Sequence, residues 1–339
     1  MARLFNSAVL ENDLKWPEWE LDRTRALLGL AWLRTNGFSQ VRGHTLLWPT
    51  WERMPPDINW QQGDPATLRT RISKHIDEQA GATRGMVTEW DVINEPVSAN
   101  VLAPILGAGE ITKWFQQTRT RDPQARLYVN EFGVVDDGGE NIVQQNRYAA
   151  LVDTLISSGA PLDGIGLQAH LSDHLTPPET LLKVLDRFAL YGKDIKITEF
   201  DVVGDNETTQ ANYTRDFLTA AFSHPKTSGV LLWGFWEGRH YRPAAALYRK
   251  DWSARPAAAV WNDLIYKKWW SNAEGRADQY GAFHARVFYG DYDIETTIDG
   301  KPVTVGVTYS PTSPETLTMG TFETGSLSPA AVLNAATLA

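Results

Sequence analysis

Two glutamates, Glu95 and Glu199, are the residues of this sequence best placed to do chemistry. Each closes a short apolar run, with the letters EWDVINE at positions 89–95 and DIKITE at positions 194–199. Such runs are typical of buried β-strands, and parallel strands deliver their carboxyl ends to one rim of a sheet. Two carboxyl groups on one rim can cleave a glycosidic bond, because one donates a proton to the leaving oxygen and the other attacks the anomeric carbon.

The surroundings of each glutamate assign the two roles. One carboxyl must be protonated at rest and the other ionised, and nearby charges decide which is which. Glu95 has no cationic neighbour in sequence, whereas Glu199 is followed by Asp201 and can have His170 near it. A histidine between two carboxylates would hold Glu199 ionised. We therefore predict Glu95 as the acid/base and Glu199 as the nucleophile, with Asn94 hydrogen-bonded to the sugar hydroxyl beside the reacting carbon.

Alternating strands and helices are predicted to position these side chains. The predicted strands are 4–9, 40–45, 87–93, 126–130, 164–167, 194–198 and 229–233. The predicted helices are 18–36, 65–80, 111–122, 143–158, 178–191 and 208–223. Regular alternation at this chain length favours an α/β fold, a (β/α)8 TIM barrel.

The strand pattern also indicates that one barrel element is missing. It contains seven strands, so the first strand and helix of the barrel are expected to be absent before Leu4. A closed barrel needs every strand, because an open edge leaves backbone groups unpaired. Three explanations stay open: the chain is truncated, a later segment fills the gap, or a partner does.

Three parts are expected along the chain. Residues 1–268 form the barrel domain, and residues 269–309 form a small antiparallel β extension with a hairpin turn at Asp299-Gly300. Residues 310–339 are rich in Ser, Thr, Pro and Ala, which predicts a poorly ordered tail. The alternation of the extension suits a half-exposed sheet, so it is a poor substitute for a buried barrel strand.

Composition excludes several classes of function. The chain has 339 residues, a formal charge of −9 and no cysteine, so it can form no disulfide or thiolate metal site. An acidic chain without a basic run is a poor candidate for binding nucleic acid or an anionic membrane. No apolar run approaches the roughly 20 residues of a membrane span. The first residues do not read as a signal peptide.

Polar residues follow every predicted strand. One such residue alone would be an ordinary capped or solvated loop residue, but their recurrence after every strand indicates a shared site. Those after the first three strands are Glu11, Asn12, Lys15, His44, Trp48, Asn94 and Glu95. Those after the last four are Asn130, Glu131, Gln168, His170, Glu199, Asp201, Trp233, Trp236 and Glu237. The active site of such a barrel lies at the carboxyl ends of its strands.

The motifs around these residues resemble glycoside hydrolase family 10, the endo-β-1,4-xylanases. The matching segments, in the family's order, are FNS at 5–7, ENDLKW at 11–16, RGHTLLW at 42–48, WDVINEP at 90–96, YVNE at 128–131, GIGLQAH at 164–170, ITEFD at 197–201 and LWG at 232–234. Together they cover residues 5–266 and are specific, although each alone would be weak.

The resemblance implies a retaining endo-xylanase without metal or cofactor, acting on xylan or xylo-oligosaccharides. It implies that His170 bonds Glu199 and is held by Asp201. Support for catalysis by Asn94 and Gln168 is implied as well. The implied substrate-binding residues are Glu11, Asn12, Lys15, His44, Trp48, Asn130, Trp233 and Tyr241. The last is a departure, since family members often carry a tryptophan there. The histidines lack a close ligand spacing, so no metal site is predicted.

Two other functions stay open, together with the setting of the reaction. A non-catalytic xylan-binding relative, inactive through its incomplete barrel, is one alternative. A β-1,4-glucanase is the other, and Lys15 and Trp48 bear on that choice. A monomer is expected. Because polymeric xylan cannot enter a cell, secretion is expected.

Overall fold

A computed structural model gives the structure of the chain. It describes residues 4–204, 206–298, 300–310, 312–314 and 330–335. The chain divides into two compact units, Met1–Ala258 and Ala259–Ala339. This division falls inside a helix and upstream of the predicted limit at residue 268, and the predicted domain limits stay predictions.

Seven parallel strands of the first unit form a nearly closed barrel. Each strand pairs with the next along the chain, so the sheet order is β1 to β7. The strands are β1 Ser7–Val9, β2 Gln40–Gly43, β3 Glu89–Asn94, β4 Arg126–Glu131, β5 Gly164–Leu171, β6 Asp194–Val202 and β7 Thr227–Leu232. Within the described part of the chain no strand joins β7 to β1. The predicted (β/α)8 barrel with seven strands is confirmed.

Helices alternate with these strands. They are α1 Trp16–Leu21, α2 Arg23–Thr35, α3 Pro65–Ala82, α4 Ala103–Leu106, α5 Glu110–Arg121, α6 Ile142–Ser157, α7 Pro178–Ala189, α8 Glu207–Ser223 and α9 Pro256–Asp263. Short 3-10 helices span Trp51–Arg53, Pro56–Gln61, Asp137–Gly139 and Pro243–Ala245, and a π-helical turn spans Leu264–Lys268. No helix in the described residues is long and apolar enough to cross a membrane.

The prediction of one continuous helix over residues 18–36 is wrong. The chain leaves helical geometry at Asp22, whose φ is −153°. The Asp22 carboxylate accepts a hydrogen bond from the backbone N–H of Arg25 at 3.0 Å, which caps the start of α2. A short acidic side chain satisfies a free N–H at a helix start better than it supports a helix interior, so two helices form.

A buried ionic cluster fills the lower part of the barrel. Arg42 of β2 bonds Glu89 at 2.9 Å and donates from Nε to Asp91 Oδ2 at 3.0 Å, both on β3. Lys196 of β6 donates to the other Glu89 oxygen at 2.5 Å. All four side chains are buried. Leaving one of these buried charges without its partner would cost about 3–5 kcal/mol. The ion pairs therefore hold β2, β3 and β6 together beneath the site.

Small residues on one strand make room for large side chains on the next. A side-chain carbon at Gly166 would lie 2.4 Å from Asn130 Oδ1, and one at Gly43 would lie 2.3 Å from the Trp90 ring. Asn130 and Gly166 are direct neighbours in the register of β4 and β5. The missing side chain at Gly166 therefore lets the Asn130 amide turn inward, toward the site.

The second unit contains a four-stranded sheet. Its strands are β8 Asn272–Arg276, β9 Gly290–Ile298, β10 Lys301–Tyr309 and β11 Ala330–Ala335, in the order β10-β9-β11-β8. The first hairpin pairs Ile298 with Lys301 in antiparallel register, and Gly300 has a φ of +74°. Asp299 of the predicted turn lies outside the described residues. So does most of the predicted tail over 310–339, whose described segment Ala330–Ala335 pairs with β8 and β9.

Candidate active site

Three amide side chains connect the two glutamates at the carboxyl ends of β3 to β6. Asn130 donates from Nδ2 to Glu199 Oε1 and to Asn94 Oδ1, each at 2.8 Å. Gln168 donates from Nε2 to Glu95 Oε1 at 3.0 Å and approaches Asn94 Oδ1 at 3.4 Å. The structure thus brings these five residues into one hydrogen-bond network.

Glu95 stands just after β3, between two neutral donors. Trp48 Nε1 donates to its Oε2 at 3.0 Å, and Gln168 donates to its other oxygen. Burial raises the pKa of the Glu95 carboxyl, and the negative charge of Glu199 raises it further. The two donors work against this rise without cancelling it. The carboxyl therefore holds its proton to higher pH than an ordinary glutamate.

Glu199 is 4% exposed and has a cationic donor. Burial alone would raise the pKa of the Glu199 carboxyl, but the hydrogen bond from His170 and the charges of His44 and His170 outweigh burial. The bond from His170 Nε2 to Glu199 Oε2 is 3.1 Å long, and Asn130 adds its own donor. The pKa of Glu199 consequently lies below its ordinary value, which keeps this carboxylate ionised.

His170 owes its charge to two carboxylates. Burial lowers the pKa of the His170 ring, but the hydrogen bonds to Asp201 and Glu199 outweigh burial and raise it to about 10. The Nδ1 atom lies 2.8 Å from Asp201 Oδ2. At neutral pH the ring is therefore an imidazolium that donates from both nitrogens.

Behind Asp201 stand two residues of the loop that follows β7. Arg242 Nη1 donates to Asp201 Oδ1 at 2.6 Å, and the Tyr241 hydroxyl donates to Asp201 Oδ2 at 2.9 Å. Arg242 was not among the residues predicted from sequence. A carboxylate deep in a strand requires cationic or polar partners, but the sequence does not say which distant residue supplies them.

One wall of the cleft is aromatic and carries a lysine. Lys15 Nζ lies 5.4 Å from the centre of the Trp48 ring and 5.9 Å from that of Trp233. The His44 ring meets the Trp233 ring edge-on at 5.1 Å, and its Nδ1 lies 3.0 Å from Asp91 Oδ2. Asp91 was also missed from sequence, although a charged residue inside an apolar run is a signal for an inward-facing barrel position.

Two predicted substrate-binding residues lie at the exposed end of this wall. Glu11 and Asn12 are exposed, and Asn12 Oδ1 accepts a hydrogen bond from Lys15 Nζ at 2.8 Å. Burial lowers the pKa of Lys15, while the charges of Glu199 and Glu11 raise it. Lys15 therefore connects the exposed rim electrostatically to the Glu199 side of the site.

Two other predicted substrate-binding residues have their polar atoms directed elsewhere. Asn130 is fully buried, donates to Asn94 and Glu199, and accepts from Thr198 at 2.7 Å, so it orients Glu199 from behind. The Tyr241 hydroxyl faces Asp201. Asn94, in contrast, has a buried Nδ2 without a hydrogen-bond partner among the described residues.

The described residues contain no group of three or more histidine or acidic side chains that could hold a metal ion. The side chains that line the site are carboxyl, amide, imidazole and aromatic groups. A carboxyl with a raised pKa in one network with a carboxylate whose pKa is lowered is the pair that proton transfer and nucleophilic attack require.

Comparisons with known proteins agree on one family. The family model for glycosyl hydrolase family 10 matches residues 1–264. Among curated relatives, the anti-sigma-I factor RsgI6 of Acetivibrio thermocellus is 32% identical over 88% of this chain and 38% of its own length. Endo-1,4-beta-xylanase 1 of Arabidopsis thaliana is 29% identical over 86% of this chain. The chain spans only 31% of that protein's length, so it matches a part of these relatives.

A solved structure matches over most of both chains. Xylanase 10B of Thermotoga petrophila, crystallised with xylobiose, superposes with a TM-score of 0.71 at 26% sequence identity. The match covers 79% of this chain and 87% of that one. The barrel architecture of this chain is thus the architecture of a known glycosidase scaffold.

Proposed function

We propose that this chain, which belongs to glycosyl hydrolase family 10, hydrolyses internal β-1,4-xylosidic bonds of xylan with retention of anomeric configuration. The observation that carries the proposal is the pair of glutamates with opposite pKa shifts in one amide network. The same residue type has a raised pKa at one position and a lowered pKa at the other, as a two-carboxylate glycosidase needs.

The proposed reaction has two steps. Glu199 attacks the anomeric carbon while Glu95 donates its proton to the leaving oxygen, so the glycosidic bond breaks as a covalent glycosyl-enzyme forms. Glu95, now ionised, then takes a proton from water, whose oxygen attacks the same carbon and releases Glu199. In this reaction Asn94, which belongs to the same hydrogen-bond network as Glu95, would donate to the hydroxyl next to the reacting carbon.

Several features support a xylan chain as the substrate. The aromatic wall of Trp48 and Trp233 offers apolar faces on which sugar rings stack, and Lys15 and His44 add polar contacts. The xylanase relatives and the xylobiose complex of the structural neighbour point to the same sugar. Action on a polymer places the reaction outside the cell, and we expect the chain to act as a monomer.

A reducing-sugar assay on the purified chain tests the proposal. We expect release of xylo-oligosaccharides from xylan, little hydrolysis of a soluble β-1,4-glucan, and no hydrolysis by Glu199→Gln. Binding of xylan without release of reducing ends would instead indicate a non-catalytic binding protein. Preferential cleavage of the glucan would identify a glucanase.

Product stereochemistry tests the retaining mechanism separately. Proton NMR of a xylo-oligosaccharide digest should show the β-anomer of the new reducing end first, because two displacements at the anomeric carbon restore its configuration. The α-anomer as first product would contradict the mechanism while leaving xylan hydrolysis intact.

A further inference from the structure

We propose that Tyr241 is a positioning residue for the nucleophile, acting through Asp201 and His170, and that its hydroxyl group carries this role. The inference rests on the proposed function and deepens it. It also differs from the role expected from family resemblance, in which an aromatic ring at this position covers the sugar.

Three polar atoms form a closed triangle behind the nucleophile. The Tyr241 hydroxyl oxygen lies 2.9 Å from Asp201 Oδ2 and 2.8 Å from His170 Nδ1. The third side, from His170 Nδ1 to Asp201 Oδ2, is 2.8 Å. In this arrangement the hydroxyl donates to Asp201, and the Nδ1–H of the imidazolium faces two oxygen acceptors. The hydroxyl thus contacts both His170 and Asp201, one of the two carboxylates that keep the His170 ring charged.

Arg242, the next residue, immobilises the other half of the Asp201 carboxylate. Its Nη1 donates to Asp201 Oδ1 at 2.6 Å, and its Nη2 donates to the carbonyl oxygen of Leu171 at 3.1 Å. With a donor on each oxygen, the Asp201 carboxylate cannot rotate freely. The His170 ring is consequently held in the orientation that directs Nε2 at Glu199, 3.1 Å away.

Other charged and titratable groups surround His170. Glu199 and Asp201 face it from β6, and Arg242, Tyr241 and His240 belong to the loop after β7. Asp136, in the loop after β4, interacts electrostatically with His170, Asp201 and Glu199. The His44 charge acts on Glu199 from the end of β2. Removing only the Tyr241 hydroxyl leaves all these groups in place. The effect of such a variant can therefore be assigned to the hydrogen bonds of the hydroxyl with Asp201 and His170.

The ring and the hydroxyl of Tyr241 can be tested apart. The side chain is 52% exposed, and its ring stacks on His240 at 5.6 Å and meets the His170 ring edge-on at 5.6 Å. A sugar platform would need the aromatic area, which phenylalanine supplies. A positioning role needs the hydroxyl, which both phenylalanine and tryptophan lack.

The experiment compares Tyr241→Phe and Tyr241→Trp with the wild-type chain on xylo-oligosaccharides. We expect kcat to fall about fivefold in both variants, the factor that corresponds to one ordinary hydrogen bond, with KM nearly unchanged. The acid limb of the kcat/KM profile should move up by about half a pH unit. The reason is that Glu199 depends on a well-aimed His170 donor for its lowered pKa. Tyr280→Phe is the matched control, since Tyr280 in the second unit is 83% exposed.

Two results would overturn the proposal. One is a Tyr241→Phe variant with wild-type kcat and pH profile. The other is a loss expressed only in KM, which would assign Tyr241 to sugar binding. NMR titration of His170 gives a reading that needs no catalysis: its midpoint should move in Tyr241→Phe and stay in Tyr280→Phe. If the wild-type chain does not cleave xylan but the His170 midpoint still differs between it and Tyr241→Phe, the proposed function is contradicted and the positioning role of Tyr241 is not.

Discussion

The surroundings of Glu95 and Glu199 differ in the charge of their donors more than in their number. Each carboxyl accepts two hydrogen bonds, from Trp48 and Gln168 at Glu95 and from His170 and Asn130 at Glu199. The donors of Glu95 are both neutral, and its pKa is raised. One donor of Glu199 is the imidazolium of His170, and the pKa of Glu199 is lowered although Glu199 is the more buried of the two glutamates. The cationic donor His170, which has no counterpart among the donors of Glu95, therefore sets the two pKa values apart, while the charge of His44 lowers both.

The backbone separates the two glutamates as well. Glu199 lies within β6, where the register shifts against both β5 and β7. Glu95 follows β3 with a φ of +55°, in the left-handed region that non-glycine residues rarely adopt. Its N–H is anchored on the carbonyl oxygen of Asn130 at 2.8 Å. A left-handed residue costs about 1–3 kcal/mol, and the turn sets the Glu95 carboxyl at the open rim, where a leaving group and water have access.

The largest expected effect comes from removing the ionised carboxylate. Glu199→Gln keeps the shape of the side chain but cannot attack the anomeric carbon, so kcat on xylan should fall by at least about 10⁴-fold. A thermal melt close to the wild type would show that the fold is intact. Substantial residual activity in this variant would contradict the assignment of Glu199 as the nucleophile.

Removing the proton donor should cost less and depend on the leaving group. Glu95→Ala is expected to lower kcat on xylan by about 10²–10⁴-fold, the usual contribution of general acid catalysis. With an aryl xyloside whose leaving group needs no proton, bond cleavage should be far less affected. Equal losses on both substrates would mean that Glu95 does not act as the acid.

The third prediction removes the cation but keeps a donor. His170→Gln leaves an amide N–H that can reach Glu199 and takes away the positive charge. The pKa of Glu199 should rise toward its ordinary value, so the acid limb of the kcat/KM profile should move to higher pH, with kcat reduced about tenfold. An unchanged acid limb would show that charge is not the deciding difference. His284→Gln, an exposed histidine of the second unit, is the control.

The smallest effect is expected from removing a hydrogen-bond donor to Glu95, the proposed acid/base. Trp48→Phe deletes one neutral donor that holds the pKa of Glu95 down. That pKa should therefore rise slightly, and the alkaline limb of the kcat/KM profile should move to higher pH by about half a unit or less. The profile of Trp60→Phe, at a tryptophan that is 88% exposed, should stay at the wild-type position. A shift to lower pH would reverse the sign assigned to this donor.

The barrel, and the placement of Glu95 and Glu199 at the ends of its strands, could be predicted from the sequence because both depend on local patterns. Apolar runs ending in polar residues define the strands, and parallel strands bring those ends together. The break at Asp22 was missed, since an amphipathic pattern does not register one capping side chain. The strands β5 and β6 extend past their predicted ends, so His170 and Asp201 lie within regular strand geometry.

Interactions between distant loops and strands could not be predicted from sequence. Arg242 reaches Asp201, and Asp91 holds His44, only after the chain has folded. The direction of an amide or a hydroxyl depends equally on the fold, as the inward Asn130 shows beside Gly166. The sequence pattern predicts which residue types lie at the strand ends, while the packing of the folded chain determines which atoms form hydrogen bonds.

Covalent trapping tests most directly the claim that the two glutamates divide the chemistry. A 2-deoxy-2-fluoro-xylobioside with a dinitrophenolate leaving group should form a glycosyl-enzyme that hydrolyses slowly, because fluorine destabilises the positively charged transition states. Peptide mass analysis should find one xylobiosyl adduct per chain, on Glu199. An adduct on Glu95, or turnover of xylan with no adduct and an inverted product, would contradict the account.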